Sequence, residues 1–195
     1  VSDTIPINIG FIASYAKKQF GNEISTKLFK YPNDAINAIK KTKPDLICLS
    51  NYSWNSNLSE HIASIAKDVS PDIVTVQGGP NFPHDDEQQI EFMKKRSSTD
   101  IFTIMEGEIT ITNIIKRIIN CNLDRNKIFS SPINGAVFIE PSSRKNKHVQ
   151  FMKGNPSERI KSLDEIPSPY LTGLLDSFFD GKLTPFIETN RGCPF

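Results

Sequence analysis

Residues 46–76 read LICLSNYSWNSNLSEHIASIAKDVSPDIVTV, and this stretch decides the fold. Short apolar runs at 46–49 and 73–76 predict two buried strands. Apolar residues between them recur at helical spacing, at Leu58, Ile62, Ile65, Ala66 and Val69. Asn57 or Ser59 is predicted to cap the start of this helix. A strand, a helix and a second strand in this order predict a βαβ unit with parallel strands.

The alternation of strands and helices continues on both sides of this unit. Downstream, residues 101–104 predict a third strand. The helix that follows it has apolar residues on one face, at Ile111, Ile114, Ile115, Ile118 and Ile119. Upstream, residues 24–29 predict a strand, and residues 33–42 predict a helix that the following proline ends. Residues 9–20 predict a further helix, closed near Gly21.

After the last of these helices the pattern changes to prolines and short polar stretches. Residues 136–140 and 148–152 predict a hairpin, and residues 184–189 predict a last strand. Together the elements predict an α/β fold: a Rossmann-like (flavodoxin-like) parallel sheet flanked by helices and followed by a small hairpin and linker segment. A sheet in flavodoxin order needs a central first strand before the first helix. We expect that strand to have been trimmed away, or residues 1–8 to supply a remnant of it.

The composition is that of a soluble globular protein without a charge bias. The 195 residues are 37% hydrophobic, and 23 Lys and Arg nearly balance 22 Asp and Glu. No basic field predicts nucleic-acid binding, and no apolar run is long enough to cross a membrane. The three cysteines, Cys48, Cys121 and Cys193, do not suit a disulfide framework. We therefore expect a cytoplasmic protein that binds neither nucleic acid nor membrane and works through a local site.

Ligands of an open parallel sheet bind at the carboxyl ends of the strands, so the loops after the strands carry the candidate site. The first such loop combines the only tryptophan with hydroxyl and amide groups, at Ser50, Tyr52, Trp54 and Asn55. The second has paired glycines that let backbone N–H groups approach a ligand, in the run Gly78, Gly79, Pro80 and Asn81. After the third strand, Glu106 and Gly107 open the next helix, whose dipole favours acidic residues.

The end of the sequence, ETNRGCPF at residues 188–195, resembles the start of the barrel of radical S-adenosylmethionine enzymes. In that family a C-x3-C-x2-C motif holds a [4Fe–4S] cluster. Upstream, LDEIPSPY at residues 163–170 resembles the linker that precedes the barrel in members with a cobalamin-binding domain. The resemblance implies that Cys193 is a cluster ligand and that the sequence is an N-terminal piece ending inside the motif. For the full-length protein it implies a [4Fe–4S] cluster and S-adenosylmethionine.

The same resemblance implies a role for the three loops. Cobalamin-binding members of the family carry S-x-Y-x-W-N where this chain has residues 50–55, as a wall against the corrin ring. They carry G-G-P where this chain has residues 78–80, beside the nucleotide tail. An E-G-E element like that of residues 106–108 opens their last helix. The resemblance thus implies that all three loops contact cobalamin.

One position departs from the pattern of cobalamin domains. The best known of them carry D-x-H-x-x-G after the first strand, and the histidine binds cobalt from below. With Gly10 aligned on the glycine, Ile7 stands at the histidine position, so we expect cobalamin without a histidine lower ligand. Two alternatives stay open: a degenerate domain that serves as a scaffold, and a non-catalytic binding or sensing module. A receiver domain fits poorly, because Ser50 and Asn51 stand where it needs a phosphate-accepting aspartate.

The resemblance divides the chain into three parts. Residues 1–120 would be the cobalamin-binding-type domain, residues 121–182 a linker or small subdomain, and residues 183–195 the first strand of the barrel. The implied enzyme transfers a methyl group or performs a radical rearrangement or cyclisation. The partners expected for this piece are the small-molecule cofactor and the barrel of the same chain, and alone it is expected to be inactive.

Overall fold

The computed structural model describes residues 3–190. The chain divides into two compact units, Val1–Lys30 with Glu158–Phe195 and Tyr31–Ser157. All strands described belong to the second unit, and the first contains one long helix with the proline-rich segment near the end of the chain. The domain boundaries predicted from the sequence stay a prediction.

Within the described residues, a five-stranded sheet in sequential strand order forms the second unit. Its strands are β1 (Leu46–Ser50), β2 (Val74–Gly78), β3 (Ile101–Thr103), β4 (Ala136–Ile139) and β5 (Phe151–Lys153). The first three strands are parallel, and β4 and β5 form a hairpin that pairs antiparallel with β3. The predicted Rossmann-like fold is confirmed. The predicted hairpin is also confirmed, with strand bounds shifted by a few residues.

Six α-helices occur in residues 3–190: α1 (Ile7–Phe20), α2 (Pro32–Thr42), α3 (Ser56–Val69), α4 (Asp86–Lys94), α5 (Gly107–Asn120) and α6 (Arg125–Ile128). All four predicted helices are confirmed. The first ends at Gly21, which has φ +53°, and the second ends at Lys43, which takes the left-handed conformation before Pro44. No helix in this part of the chain has the length and apolar character needed to cross a membrane.

The start of α3 differs from the prediction. Asn57 and Ser59 lie inside the helix and Asn55 occupies the N-cap position, so the predicted cap by either residue is wrong. The amide Nδ2 of Asn55 donates to Ser50 Oγ at 2.8 Å rather than capping the helix. The hydroxyl of Ser59 donates to the backbone oxygen of Ser50 at 2.7 Å. These side chains fasten the loop after β1 to the start of α3.

Two predicted strands are not formed. Residues 24–29 make no strand pairing, and residues 184–189 contribute one parallel bridge, between Thr184 and Thr4. A β-branched or apolar run becomes a strand only where a neighbouring segment takes up its backbone hydrogen bonds. Beyond the bridge, the backbone of Phe186 bonds a tyrosine hydroxyl instead. Thr4 therefore pairs outside the sheet, and residues 3–8 supply no remnant strand to it.

Apolar packing fixes the helices and loops on the sheet. The cluster between α2, α3 and β1 consists of Ile39, Ile47, Ile62, Ala66 and Ile73. After β2, Phe82 stacks on Phe102 with ring centroids 4.7 Å apart, and Phe92 meets both rings edge-on. Burying one such side chain stabilises the fold by about 1.5–3 kcal/mol. This packing holds the segments that follow β1 and β2 in place.

In the first unit, α1 packs against the proline-rich segment. A Cβ on Gly10 would lie 3.0 Å from the Cβ of Pro169, so the glycine permits a close approach. The hydroxyl of Ser14, one turn further along, donates to the backbone oxygen of Pro167 at 2.5 Å. The segment that precedes the sequence end is thereby bound to the first helix.

Candidate functional site

Three loops leave the sheet at the edge where its parallel strands end. We call them the rim loops; they comprise residues 50–55, 78–83 and 105–107. Neighbouring strands lie about 4.8 Å apart, so the first and third rim loops begin about 10 Å from each other. The structure therefore brings together the loop residues that the sequence indicated.

The first rim loop presents an aromatic pair. The rings of Tyr52 and Trp54 stack with centroids 4.6 Å apart and planes inclined by 14°. Trp54 is 80% exposed, although an indole carries one of the largest apolar surfaces of any side chain. Asn55 closes the loop, since its Nδ2 donates to Ser50 Oγ and its Oδ1 accepts from the backbone N–H of Tyr52 at 2.7 Å. The loop thus holds a flat apolar surface open to solvent.

The paired glycines of the second rim loop serve contacts within the protein. A Cβ on Gly78 would lie 2.2 Å from Thr103 Oγ1, and a Cβ on Gly79 would lie 2.4 Å from the backbone oxygen of Asn51. Gly79 also has φ +140°, which residues with a side chain avoid. Pro80 follows and is exposed. Protein atoms take the space beside both glycines, and their approach to a ligand stays a prediction.

The third rim loop carries exposed apolar surface and an acidic helix start. Met105 is 63% exposed and has φ +63°. Glu106 occupies the N-cap position of α5 without a side-chain cap bond, and Gly107 is the first helical residue. Glu108 in the first turn is buried, at 4% exposure. The carboxylates lie at the positive end of the helix dipole, which stabilises them there.

Sequence reasoning missed the buried polar residues beneath the rim loops. Asn51 and Gln77 are fully buried, and Asn51 Nδ2 donates to Gln77 Oε1 at 2.6 Å. Asn81 Nδ2 in turn donates to Asn51 Oδ1 at 2.9 Å, so side-chain amides join the first and second rim loops. One signal in the sequence could have indicated these residues: Gln77 follows directly on an apolar strand. A side-chain amide buried there needs hydrogen-bond partners, so polar residues are expected beside it.

The ionisable cluster of the second unit lies at the other end of the strands. Asp100, just before β3, pairs with Lys67 Nζ at 2.5 Å and with Arg125 Nη2 at 2.9 Å. Burial by itself would raise the pKa of Asp100, but the two cations outweigh burial and hold that pKa below its ordinary value. Burial lowers the pKa of Lys67, against the attraction of Asp100. A groove of about 520 Å³ beside Arg125 is also lined by acidic residues. The ion pairs of Asp100 with Lys67 and Arg125 therefore stabilise the fold at a distance from the rim loops.

Metal ligands are not gathered in residues 3–190, where no group of three or more His, Cys, Asp or Glu side chains could hold a metal ion. His61, His84 and His148 are all exposed. Ile7 is 5% exposed and belongs to the first unit. Cys193 lies outside the described residues.

Comparison with known proteins gives a family and relatives. The model of the B12-binding domain family matches residues 1–115. The 2-(S-pantetheinyl)-carbapenam-3-carboxylate methyltransferase of Streptantibioticus cattleyicolor is 25% identical over 201 residues, covering 98% of this chain and 27% of that protein. The cobalamin-dependent radical SAM methyltransferase TokK of Streptomyces tokunonensis is 26% identical over 159 residues, covering 78% of this chain and 21% of that protein.

A solved structure shares the fold. It is the cobalamin-dependent S-adenosylmethionine radical enzyme OxsB with aqua-cobalamin and S-adenosylmethionine bound, at a TM-score of 0.62 and 20% sequence identity. The match covers 97% of this chain and 25% of that one. The chain spans about a quarter of the length of each of these three proteins.

Proposed function

This chain belongs to the B12-binding domain family, and on that premise we propose that its rim loops hold cobalamin for a radical S-adenosylmethionine enzyme. The observation that carries the proposal is the stacked pair of Tyr52 and Trp54, with Trp54 80% exposed at the carboxyl edge of the sheet. Met105 adds exposed apolar surface at the same edge. A flat apolar surface beside amide groups suits a corrin, which is a flat ring edged with amides.

The chemistry of the rim loops fits the cofactor. Residues proposed to contact it are Ser50, Tyr52, Trp54, Asn55, Gly78, Gly79, Pro80, Asn81, Glu106 and Gly107. The aromatic pair would cover apolar parts of the ring, while the amides and backbone N–H groups would bond its polar edge and nucleotide tail. When bound, cobalamin supplies a cobalt that can accept and give up a methyl group.

We further propose that the protein supplies no histidine ligand to the cobalt. Ile7, at the position of the histidine in other cobalamin domains, is buried against Phe11 and Ile166 and offers no donor atom. The three histidines of the chain are all exposed rather than held in a pocket. These observations support cobalamin bound without a histidine lower ligand.

For the whole protein we propose methyl transfer. Both of the curated relatives described above are named as methyltransferases, and one of these names includes radical SAM chemistry that depends on cobalamin. Cys193 would be the first thiolate of a [4Fe–4S] cluster, and S-adenosylmethionine would bind at that cluster in the barrel of the same chain. In this scheme residues 1–120 bind the corrin, residues 121–182 link, and residues 183–195 begin the barrel.

Equilibrium dialysis of the purified chain against hydroxocobalamin, read at the corrin absorption bands, tests the proposal. We expect one corrin per chain. Trp54→Ala should weaken binding about tenfold, because an aromatic face is lost from the apolar contact. The control Leu171→Ala, at a residue 90% exposed in the first unit, should leave binding unchanged. A chain that retains no corrin would refute cofactor binding and favour the scaffold function.

A further inference from the structure

A chain of side-chain hydrogen bonds runs beneath the rim loops. It starts at Asn81, whose Nδ2 donates to Asn51 Oδ1 at 2.9 Å. Asn51 Nδ2 donates to Gln77 Oε1, and Gln77 Nε2 donates to Thr99 Oγ1, both at 2.6 Å. The hydroxyl of Thr99 donates to Glu60 Oε2 at 2.7 Å. We call this chain of hydrogen bonds the amide relay; its three central residues, Asn51, Gln77 and Thr99, are fully buried.

Glu60 fixes the direction of the amide relay. An ionised carboxylate only accepts hydrogen bonds, and Glu60 also accepts the backbone N–H of Ser98 at 2.8 Å. The hydroxyl of Thr99 must therefore donate to Glu60, which leaves its lone pairs to accept from Gln77. Each primary amide that gives its N–H on one side offers its oxygen on the other. The direction set at Glu60 is thus transmitted to the rim.

The relay ends in a hydrogen-bond acceptor at the surface. Because Asn81 gives its N–H inward, its Oδ1 is the free end, and no partner for it occurs among residues 3–190. Asn81 is half-buried and lines a groove of about 470 Å³ with Asn57, Lys95 and Arg96. A ligand at the rim loops would meet an oxygen there, held in place by buried groups.

Resting on the proposed function, we propose that the amide relay selects an N–H donor on the corrin edge. Asn81 Oδ1 accepts that hydrogen bond, and Glu60 is a positioning residue that keeps the oxygen outward. The corrin edge carries primary amides, which donate N–H. An ionised carboxylate in place of that amide has no N–H and meets the Asn81 oxygen unfavourably.

Selectivity separates this role from a purely structural one. If the relay only held the rim loops together, its loss would weaken the binding of every corrinoid alike. If it selects a donor, its loss changes the ratio between a corrinoid with the amide and one with a carboxylate at the same place. The probes are hydroxocobalamin and its monocarboxylic acid derivatives, each with one primary amide of the corrin edge converted to a carboxylate.

The experiment measures the dissociation constants of these corrinoids by equilibrium dialysis. For the wild-type chain we expect at least one derivative to bind about tenfold more weakly than hydroxocobalamin, as loss of one hydrogen bond predicts. In Glu60→Gln the residue can donate as well as accept, so the relay can reverse and this ratio should fall to about threefold or less. Asn81→Ala, which lacks the oxygen, should bring the ratio to about one. The control Asn57→Ala lines the same groove outside the relay and should keep the wild-type ratio.

The outcomes are distinct for the two proposals. If the wild-type chain binds hydroxocobalamin and every monocarboxylic acid derivative equally, or if Asn81→Ala keeps the ratio, the amide relay has no role in selection and cofactor binding stands. If the wild-type chain retains no corrin, both proposals are overturned. Circular dichroism measures whether each variant is folded. If Glu60→Gln is not folded, Asn81→Ala alone decides whether the amide relay selects the donor.

Discussion

The two glycines of the second rim loop differ in the atoms that an added Cβ would contact if either were replaced by alanine. In Gly78→Ala, the Cβ would lie 2.2 Å from Thr103 Oγ1, which is the end of a side chain on the neighbouring strand. Overpacking of this kind costs about 1–3 kcal/mol of unfolding free energy. In Gly79→Ala, the Cβ would lie 2.4 Å from the backbone oxygen of Asn51 and the residue would keep φ +140°.

The loss of unfolding free energy should therefore be larger for Gly79→Ala than for Gly78→Ala, and a second substitution in a side chain should not restore it. A residue with a Cβ in that backbone conformation costs about 1–3 kcal/mol. Moving the backbone of Asn51 costs more free energy, because its side-chain amide bonds Gln77 of β2 and Asn81 of the second rim loop. We expect a loss of about 2–6 kcal/mol of unfolding free energy in total. Truncating Thr103 to Ala should remove most of the cost of Gly78→Ala and none of the cost of Gly79→Ala.

Urea unfolding of the intact chain, followed by Trp54 emission and far-ultraviolet circular dichroism, measures these differences. The double-mutant cycle of Gly78→Ala with Thr103→Ala should give a coupling of about 1–3 kcal/mol. The matched cycle of Gly79→Ala with Thr103→Ala should give a coupling near zero. The packing described for the rim would be wrong if Thr103→Ala failed to rescue Gly78→Ala, or if Gly79→Ala were the milder change.

Two further predictions concern charge and cobalt. Asp100→Asn should cost about 3–5 kcal/mol at neutral pH, because Lys67 and Arg125 lose a buried partner. Since folding lowers the pKa of Asp100 below 3.8, the wild-type chain keeps this stability above that pH and loses it as the pH falls through the lower folded pKa. Urea unfolding at several pH values should show the two proteins converging only in acid, and equal stability at pH 7 would contradict the ion-pair assignment. Bound cob(II)alamin should show no hyperfine splitting by protein nitrogen in electron paramagnetic resonance; a splitting that changes when the protein is labelled with ¹⁵N would disprove the absence of a protein ligand.

The parallel core of the fold could be predicted from the sequence because its signals are local. The apolar runs of β1 and β2 and the helical spacing of α3 each lie within a few consecutive residues. Residues 24–29 carried a similar signal and form no strand, since pairing depends on a neighbour distant in sequence. The N-cap position of Asn55 was not predicted. Its side-chain amide bonds Ser50 in the loop and makes no cap bond to the helix.

The candidate site was predicted in part, for the same reason. Loop residues such as Trp54 follow directly from the end of a strand, and the structure places them at one edge. The amide relay joins positions far apart, with Thr99 bonding Glu60 across 39 positions and Asn51 bonding Gln77 across 26. A single sequence carries no signal that these residues are hydrogen-bond partners. Gln77 could be flagged as a polar residue in an apolar strand, but its partners could not be named.

The two edges of the sheet differ in how they would meet another polypeptide. At β5, Lys153 carries a charge, and its ammonium pairs with Asp86 at 2.5 Å. At β1, the strand LICLS carries no charge and no proline, Cys48 is exposed, and β2 is its one strand neighbour in the described sheet. Uncharged edge strands template aggregation, whereas lysine on an edge discourages it. Self-association of the purified chain at high concentration should therefore proceed through β1. Cys48→Lys should suppress it, as sedimentation velocity of the two proteins would measure.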